Sequence, residues 1–269
     1  ILHDDAYIIS AKNGSSVALE PSYFDKTQDY PLGSEENRYI ITMQNCGATL
    51  DEEGKLVPVP EDIRNGNGRA IKSKLWASNR VDKMEEPINS ILWLMKDNSL
   101  PPVLRIDDPV LASVMGACLA TKRTTAEKVL KGVDRDALVF EPYANPFRTY
   151  PLGEDYDKFK ALFSERGVRC YILNTGQFLD KKVPKEVTIR IIEEIVDETA
   201  RYVGFGKFEE LKMMEIEGFL PDLKDPDYQE LLGSSIENRI RFLESLKEHK
   251  GGRDQLPAEA LAALHQLLR

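Results

Sequence analysis

Two adjacent acids, Asp4-Asp5, stand at the head of the apolar run YIISA. Carboxylates at a strand tip supply the hard oxygen ligands that Mg²⁺ or Mn²⁺ takes beside phosphates. A solvated turn is the plain alternative. In SNRV (78–81), Arg80 could clamp a phosphate with its planar fork, or be a surface arginine. KRTTAE (122–127) reads either as an anion site or as a helix cap served by Thr125. RNGNGR (64–69) reads as a ligand loop or a surface loop, and FEPYANPF (140–147) as a rigid packed loop. NTG (174–176) closes an apolar strand, and strand ends of α/β sheets are where ligands sit. Just after it, Lys181-Lys182 precede a helix start, where positive charge opposes the helix dipole. A bound phosphate or nucleotide would compensate; solvation is the other possibility.

These residues need strands and helices to hold them. YIISA (7–11) and SVALE (16–20) flank Asn-Gly, a hairpin signal. YIITMQN (39–45) reads as a strand, and 48–59 as a hairpin turning at Glu53-Gly54. PINSILWLMKD (87–97) and VRCYILNTG (168–176) read as strands, the latter the clearest buried strand, ending in a polar turn. Helical spacing covers 109–123, 154–167, 184–203, 229–248 and 257–268, with Gly167 closing the second of these. A strand end is expected at 137–144 and a Pro-bounded loop at 221–228. The expectation is a mixed α/β fold with hairpins and a helical C-terminal tail. One domain is expected over 1–205, with a helical extension over 206–269 packed upon it.

The 269 residues suffice for a sizeable core. The net charge of -9 argues against a general nucleic-acid binder, which needs a basic face. The longest apolar runs, such as SILWLM (90–95), are too short to span a bilayer, and residues 1–9 carry no signal-peptide pattern. Cys46, Cys118 and Cys170 are odd in number and widely spaced, so they read as reduced thiols of a cytoplasmic protein. Only His3, His249 and His265 are available, too few for most histidine-based sites.

Taken in order, the segments resemble the C-terminal half of the phosphoenolpyruvate carboxykinase superfamily. HDDAY resembles its Gly-Asp-Asp metal motif, and LEPSYF its GTP-type Asn-Pro-Glu-x-Gly-Phe-Phe segment. SNRV resembles Asn-Ser-Arg-Phe, KRTTAE resembles Ser-Glu-Thr-Thr-Ala-Ala, and EPYANPF resembles Asp-Pro-Phe-Ala-Met-x-Pro-Phe. PINSILWLMKDNSLPPVL (87–104) resembles a strand entering a Gly-Val-Pro-Leu turn. VRCYILNTG and KKVPKEVTIRII resemble the ATP-type stretches Val-Tyr-Leu-Val-Asn-Thr-Gly and Lys-Arg-Ile-Ser-Ile-Lys-Asp-Thr-Arg-x-Ile-Ile. The resemblance covers roughly residues 1–200. Departures are the absent phosphate loop and guanine loop, and Lys96-Asp97-Asn98 in place of an arginine pair. The mixture of ATP-type and GTP-type features suits a divergent branch.

The resemblance implies nucleotide-dependent decarboxylation and phosphorylation of oxaloacetate to phosphoenolpyruvate, a gluconeogenic step. ATP or GTP would be the nucleotide, and Mg²⁺ or Mn²⁺ the ion. Asp4 and Asp5 would hold the metal, with Asp5 and Arg80 acting at the transferred phosphoryl. Lys182, Val183 and Thr188 would line the base pocket, over a floor of Asn174, Thr175 and Gly176. The phosphate loop would lie upstream in an N-terminal remainder, leaving these residues inactive alone. Two alternatives stand beside this: a non-catalytic nucleotide-binding or scaffold relative, and another kinase with the same core, such as an HPr-type serine kinase. An intact upstream phosphate loop separates the enzyme from the scaffold.

Overall fold

Asn13-Gly14 lies in the connection, residues 10–15, between the paired Ile9 and Ser16. Gly14 adopts φ +74, and the Asn13 side chain accepts from the amide and hydroxyl of Ser15. This computed structural model describes residues 7–19, 23–27, 35–63, 66–76, 81–122, 131–132, 138–145 and 148–269. The chain divides into two compact units, Ile1–Pro87 with Lys122–Ala137, and Ile88–Thr121 with Leu138–Arg269.

The first unit is built of short antiparallel strands. They are β1 (Tyr7–Ile9), β2 (Ser16–Ala18), β3 (Tyr23–Lys26), β4 (Ile40–Gln44), β5 (Gly47–Leu50), β6 (Leu56–Val59), β7 (Arg69–Lys72) and β8 (Lys83–Met84). They form three small sheets, ordered β1-β2-β8, β3-β7-β4 and β5-β6. The β5–β6 hairpin turns through Gly54 at φ +76. Lys72 is 2% exposed and is held by an ion pair to Asp25 and by the face of Trp76.

The second unit contains β9 (Ser90–Met95), β10 (Val103–Ile106), α1 (Pro109–Ala117), all but the last residue of β11 (Ala120–Lys122), β12 (Leu138–Phe140) and α2 (Leu152–Glu165). It continues with β13 (Arg169–Asn174), β14 (Gln177–Phe178), β15 (Lys181–Lys182), α3 (Lys185–Val196), β16 (Val203–Phe205), β17 (Phe208–Met213), α4 (Pro226–Ser245) and α5 (Ala258–Leu267). Five strands make one mixed sheet, ordered β16-β17-β10-β13-β9. β9 and β13 run parallel, while β10 runs antiparallel to both β13 and β17. The mixed α/β architecture is thus present.

Every residue of β13 from Cys170 to Asn174 is buried, because this sheet is covered on both faces. On one face Val103, Tyr171 and Leu173 pack with Ile191 and Ile195 of α3 and with Met214. On the other, Trp93 donates its indole N–H to the Ala112 carbonyl of α1 and meets Phe159 and Tyr143 edge-on. Aspartates start two helices: Asp108 accepts from the Leu111 amide and Asp225 from the Asp227 amide, each ahead of a proline at the first position. No helix among the described residues is long and apolar enough to cross a membrane.

Three elements differ from expectation. The helix from 109 stops at Ala117, and the chain enters β11 instead of continuing to 123. The helix from 184 stops at Val196, where the Thr199 and Ala200 amides both reach back to the Glu194 carbonyl and Glu198 adopts φ +55. The segment after 205 is not wholly helical: Phe208–Met213 is a strand of the main sheet.

Candidate functional site

Parallel pairing puts the C-terminal ends of β9 and β13 side by side, with Asn174 opposite Met95. Thr175 extends the pairing, since its amide and hydroxyl both donate to the Met95 carbonyl, at 2.9 and 3.3 Å. The turn that follows is tied by one side chain. Asn174 is 1% exposed, and its Nδ2 donates to the carbonyls of Asp97 (2.7 Å), Leu100 (2.6 Å) and Gln177 (2.8 Å). Its Oδ1 accepts from the Gly176 amide at 3.1 Å. The Asn174 amide is therefore spent on the turn itself.

Gly176 has a packing reason to be glycine. A Cβ there would stand 3.2–3.3 Å from the Cα, Cβ and Cγ of Lys96. Gly176→Ala should push Lys96 aside and cost about 1 kcal/mol, as modest overpacking does. Denaturant titration of the variant would measure it, and wild-type stability would refute the contact.

The Gly176 carbonyl accepts from the Val183 amide at 2.9 Å, and Gln177 pairs with Lys182. The turn is thereby fastened to the segment that begins α3. Val183 is buried, Thr188 is half-buried one turn into α3, and Lys182 is exposed. The two adjacent lysines differ. Lys181 donates to the Gly218 carbonyl at 3.2 Å and lies over the Phe219 ring. Lys182 and Lys96 have no carboxylate partner among the described residues. Helix α3 starts at Pro184 without a side-chain cap, so its first amides remain open.

Beneath this turn lies a polar network that sequence reasoning missed. Asp97 is 2% exposed and accepts from the Ser99 amide and hydroxyl at 2.9 and 2.7 Å. Its other oxygen accepts from Ser235 Oγ at 2.6 Å and pairs with Arg239 at 2.8 Å, both on α4. Burial pushes the Asp97 carboxyl up, but the Arg239 guanidinium, the two serine hydroxyls and the Ser99 amide outweigh it and hold the group low. Arg239 also donates to Ser235 O and Oγ and to the Met95 sulfur. Its Nε is buried without a hydrogen-bond partner. The Lys96-Asp97-Asn98 segment, read from sequence as a lost arginine pair, contains the anchor of this network.

The structure brings Asn174, Thr175, Gly176, Lys182 and Val183 together, with Thr188 on the adjoining helix. Asp4, Asp5 and Arg80 lie outside the described residues, as do most of KRTTAE and residues 64 and 65 of the glycine-rich loop. Gly68 of that loop packs against Thr27 and Cys46. In EPYANPF, the buried Tyr143 donates to the Ser113 carbonyl at 3.0 Å and stacks on Phe159, which makes that part a packed loop. Among the described residues no three His, Cys, Asp or Glu side chains cluster as metal ligands. The buried thiols of Cys118 and Cys170 are pushed up by burial, Cys118 to about 12, as inert core cysteines are.

No family model matches the chain. A phosphoenolpyruvate carboxykinase (ATP) of Aeropyrum pernix is 24% identical over 256 residues, covering 91% of this chain and 51% of that protein. The chain thus spans about half the length of the curated relative it matches. At that identity the likeness supports the superfamily, not an activity.

Proposed function

We propose that this chain is the nucleotide-holding half of an ATP-dependent phosphoenolpyruvate carboxykinase-like enzyme. The observation that carries the reading is the turn at 174–176, fastened through the Val183–Gly176 hydrogen bond to the Lys182–Thr188 segment at the start of α3. Strand ends of an α/β sheet, open helix amides and unpaired lysines make a place for a phosphorylated ligand. The distant likeness to an ATP-type carboxykinase supports the choice of ATP.

In the reaction, oxaloacetate loses CO₂ and leaves an enolate. The enolate oxygen attacks the γ-phosphorus of ATP, the bond to the bridging oxygen breaks, and ADP leaves with its electrons. Such a transfer asks the protein for positioning and charge neutralisation. On this reading Lys182 donates to the nucleotide, Val183 and Thr188 bound the base, and Asn174, Thr175 and Gly176 hold the floor. Arg80 neutralises charge on the transferring phosphoryl. Asp4 and Asp5 would hold the divalent ion, which would neutralise phosphate charge when bound. The remaining ligands would come from an N-terminal remainder of the same polypeptide.

The test is calorimetric titration of the full-length polypeptide with ATP, GTP and pyrophosphate, together with an oxaloacetate assay. ATP is expected to bind best, and Lys182→Ala to weaken it roughly tenfold, as loss of a charge-assisted hydrogen bond does. Absence of ATP binding to the wild-type protein would end the reading. Arg80→Lys should cut turnover about tenfold or more, since the ammonium lacks the planar fork. Wild-type turnover in that variant would remove Arg80 from the mechanism while leaving the nucleotide site.

A further inference from the structure

We propose that Asp97 and Arg239 are positioning residues of the nucleotide turn, so that helix α4 sets the geometry of a site it does not line. This rests on the reading of 174–188 as the nucleotide site. A continuous series of hydrogen bonds connects the two places. Arg239 and Ser235 on α4 hold the Asp97 carboxylate at 2.8 and 2.6 Å. The Asp97 main-chain carbonyl accepts from Asn174 Nδ2 at 2.7 Å. Asn174 Oδ1 accepts from the Gly176 amide, and the Gly176 carbonyl accepts from the Val183 amide.

Each joint in this path is fixed. Asp97, Asn174 and Arg239 are all 2% exposed or less, so solvent cannot replace a lost partner at low cost. Tyr228, also on α4, donates to the Ser99 carbonyl at 2.8 Å and gives the Asp97–Leu100 segment a second tie to the same helix. Lys96 precedes Asp97 directly and packs against Gly176. A shift of the Asp97 backbone would therefore move both the Lys96 side chain and the 174–176 turn. Close geometric tolerances make such remote displacements costly to ligand placement.

The experiment uses the full-length protein, ATP as the probe, and the variants Arg239→Met, Arg239→Lys, Asp97→Asn and Ser235→Ala. Leu264→Ala, at a fully buried apolar position of α5 that takes no part in these hydrogen bonds, serves as a control for lost stability. Calorimetry should show ATP affinity about tenfold weaker in Arg239→Met and Asp97→Asn. It should be about threefold weaker in Ser235→Ala, which keeps the ion pair. Arg239→Lys should recover part of the loss, and Leu264→Ala should bind as wild type at temperatures where it is folded. Amide exchange over 174–183 should quicken in Ser235→Ala and stay unchanged in the control. Equal affinity loss in Leu264→Ala and Arg239→Met, or wild-type affinity in all the site variants, would overturn the proposal. Should the wild-type protein bind no ATP, the nucleotide reading fails, and the exchange arm alone decides. Unchanged exchange over 174–183 in Ser235→Ala then refutes the positioning role, and faster exchange there sustains it.

Discussion

Arg239→Met will lower the unfolding free energy by about 3–5 kcal/mol, the usual loss when one partner of a buried ion pair is removed. The Asp97 carboxylate would be left without its counter-charge, with Ser235 and Ser99 as its remaining partners. The pair also predicts an acid limb in stability. The folded Asp97 carboxyl is held below its ordinary value of 3.8. Its contribution is therefore complete above that pH and is lost as pH falls through the lower folded value. Denaturant titrations carried from neutral pH to well below 3.8 should show this limb in the wild type. Asp97→Asn should be less stable throughout and flatter in acid. A loss under about 1 kcal/mol in Arg239→Met would show that the pair does not brace the fold.

Asn174→Ala should follow at about 3 kcal/mol, because it strips partners from several buried groups at once. The Asp97 and Leu100 carbonyls lose their Nδ2 donor, and the Gly176 amide loses its acceptor. Asn174→Asp should be the worse of the two, although it is nearly the same size. It would aim a carboxylate oxygen at the carbonyls of Asp97, Leu100 and Gln177 in place of a donor. Chemical denaturation of both variants provides the comparison. If the aspartate proved the milder change, the amide would have to point the other way round, and the turn would be held differently.

Local chemistry made much of the fold legible. Asn13-Gly14 and Glu53-Gly54 announce their hairpins, and the apolar run at 170–173 announces a buried strand. What escaped were elements whose identity depends on neighbours. Val103–Ile106 follows Pro101-Pro102 and is only four residues long, so it merges with a turn until β13 and β17 are seen on either side of it. Phe208–Met213 carries Glu209, Glu210 and Lys212, which mute its alternation; it reads as a strand only through its place beside β10. At the site, the NTG turn could be found because a polar triplet ends an apolar run. Asp97 could not be. Its meaning depends on Arg239, a single arginine within an amphipathic helix, and no spacing rule connects the two.

The long separation in the path also orders events during synthesis. Asp97 and Ser235 are 138 residues apart in the chain, and they meet only after α4 has been made. Translation runs from the N-terminus, so β9, β10 and β13 leave the ribosome before the helix that fixes their ends. Until then the Asp97 carboxylate has no cation beside it and favours staying in water. The strand-end turn thus takes its final form only once the chain has been made through residue 239.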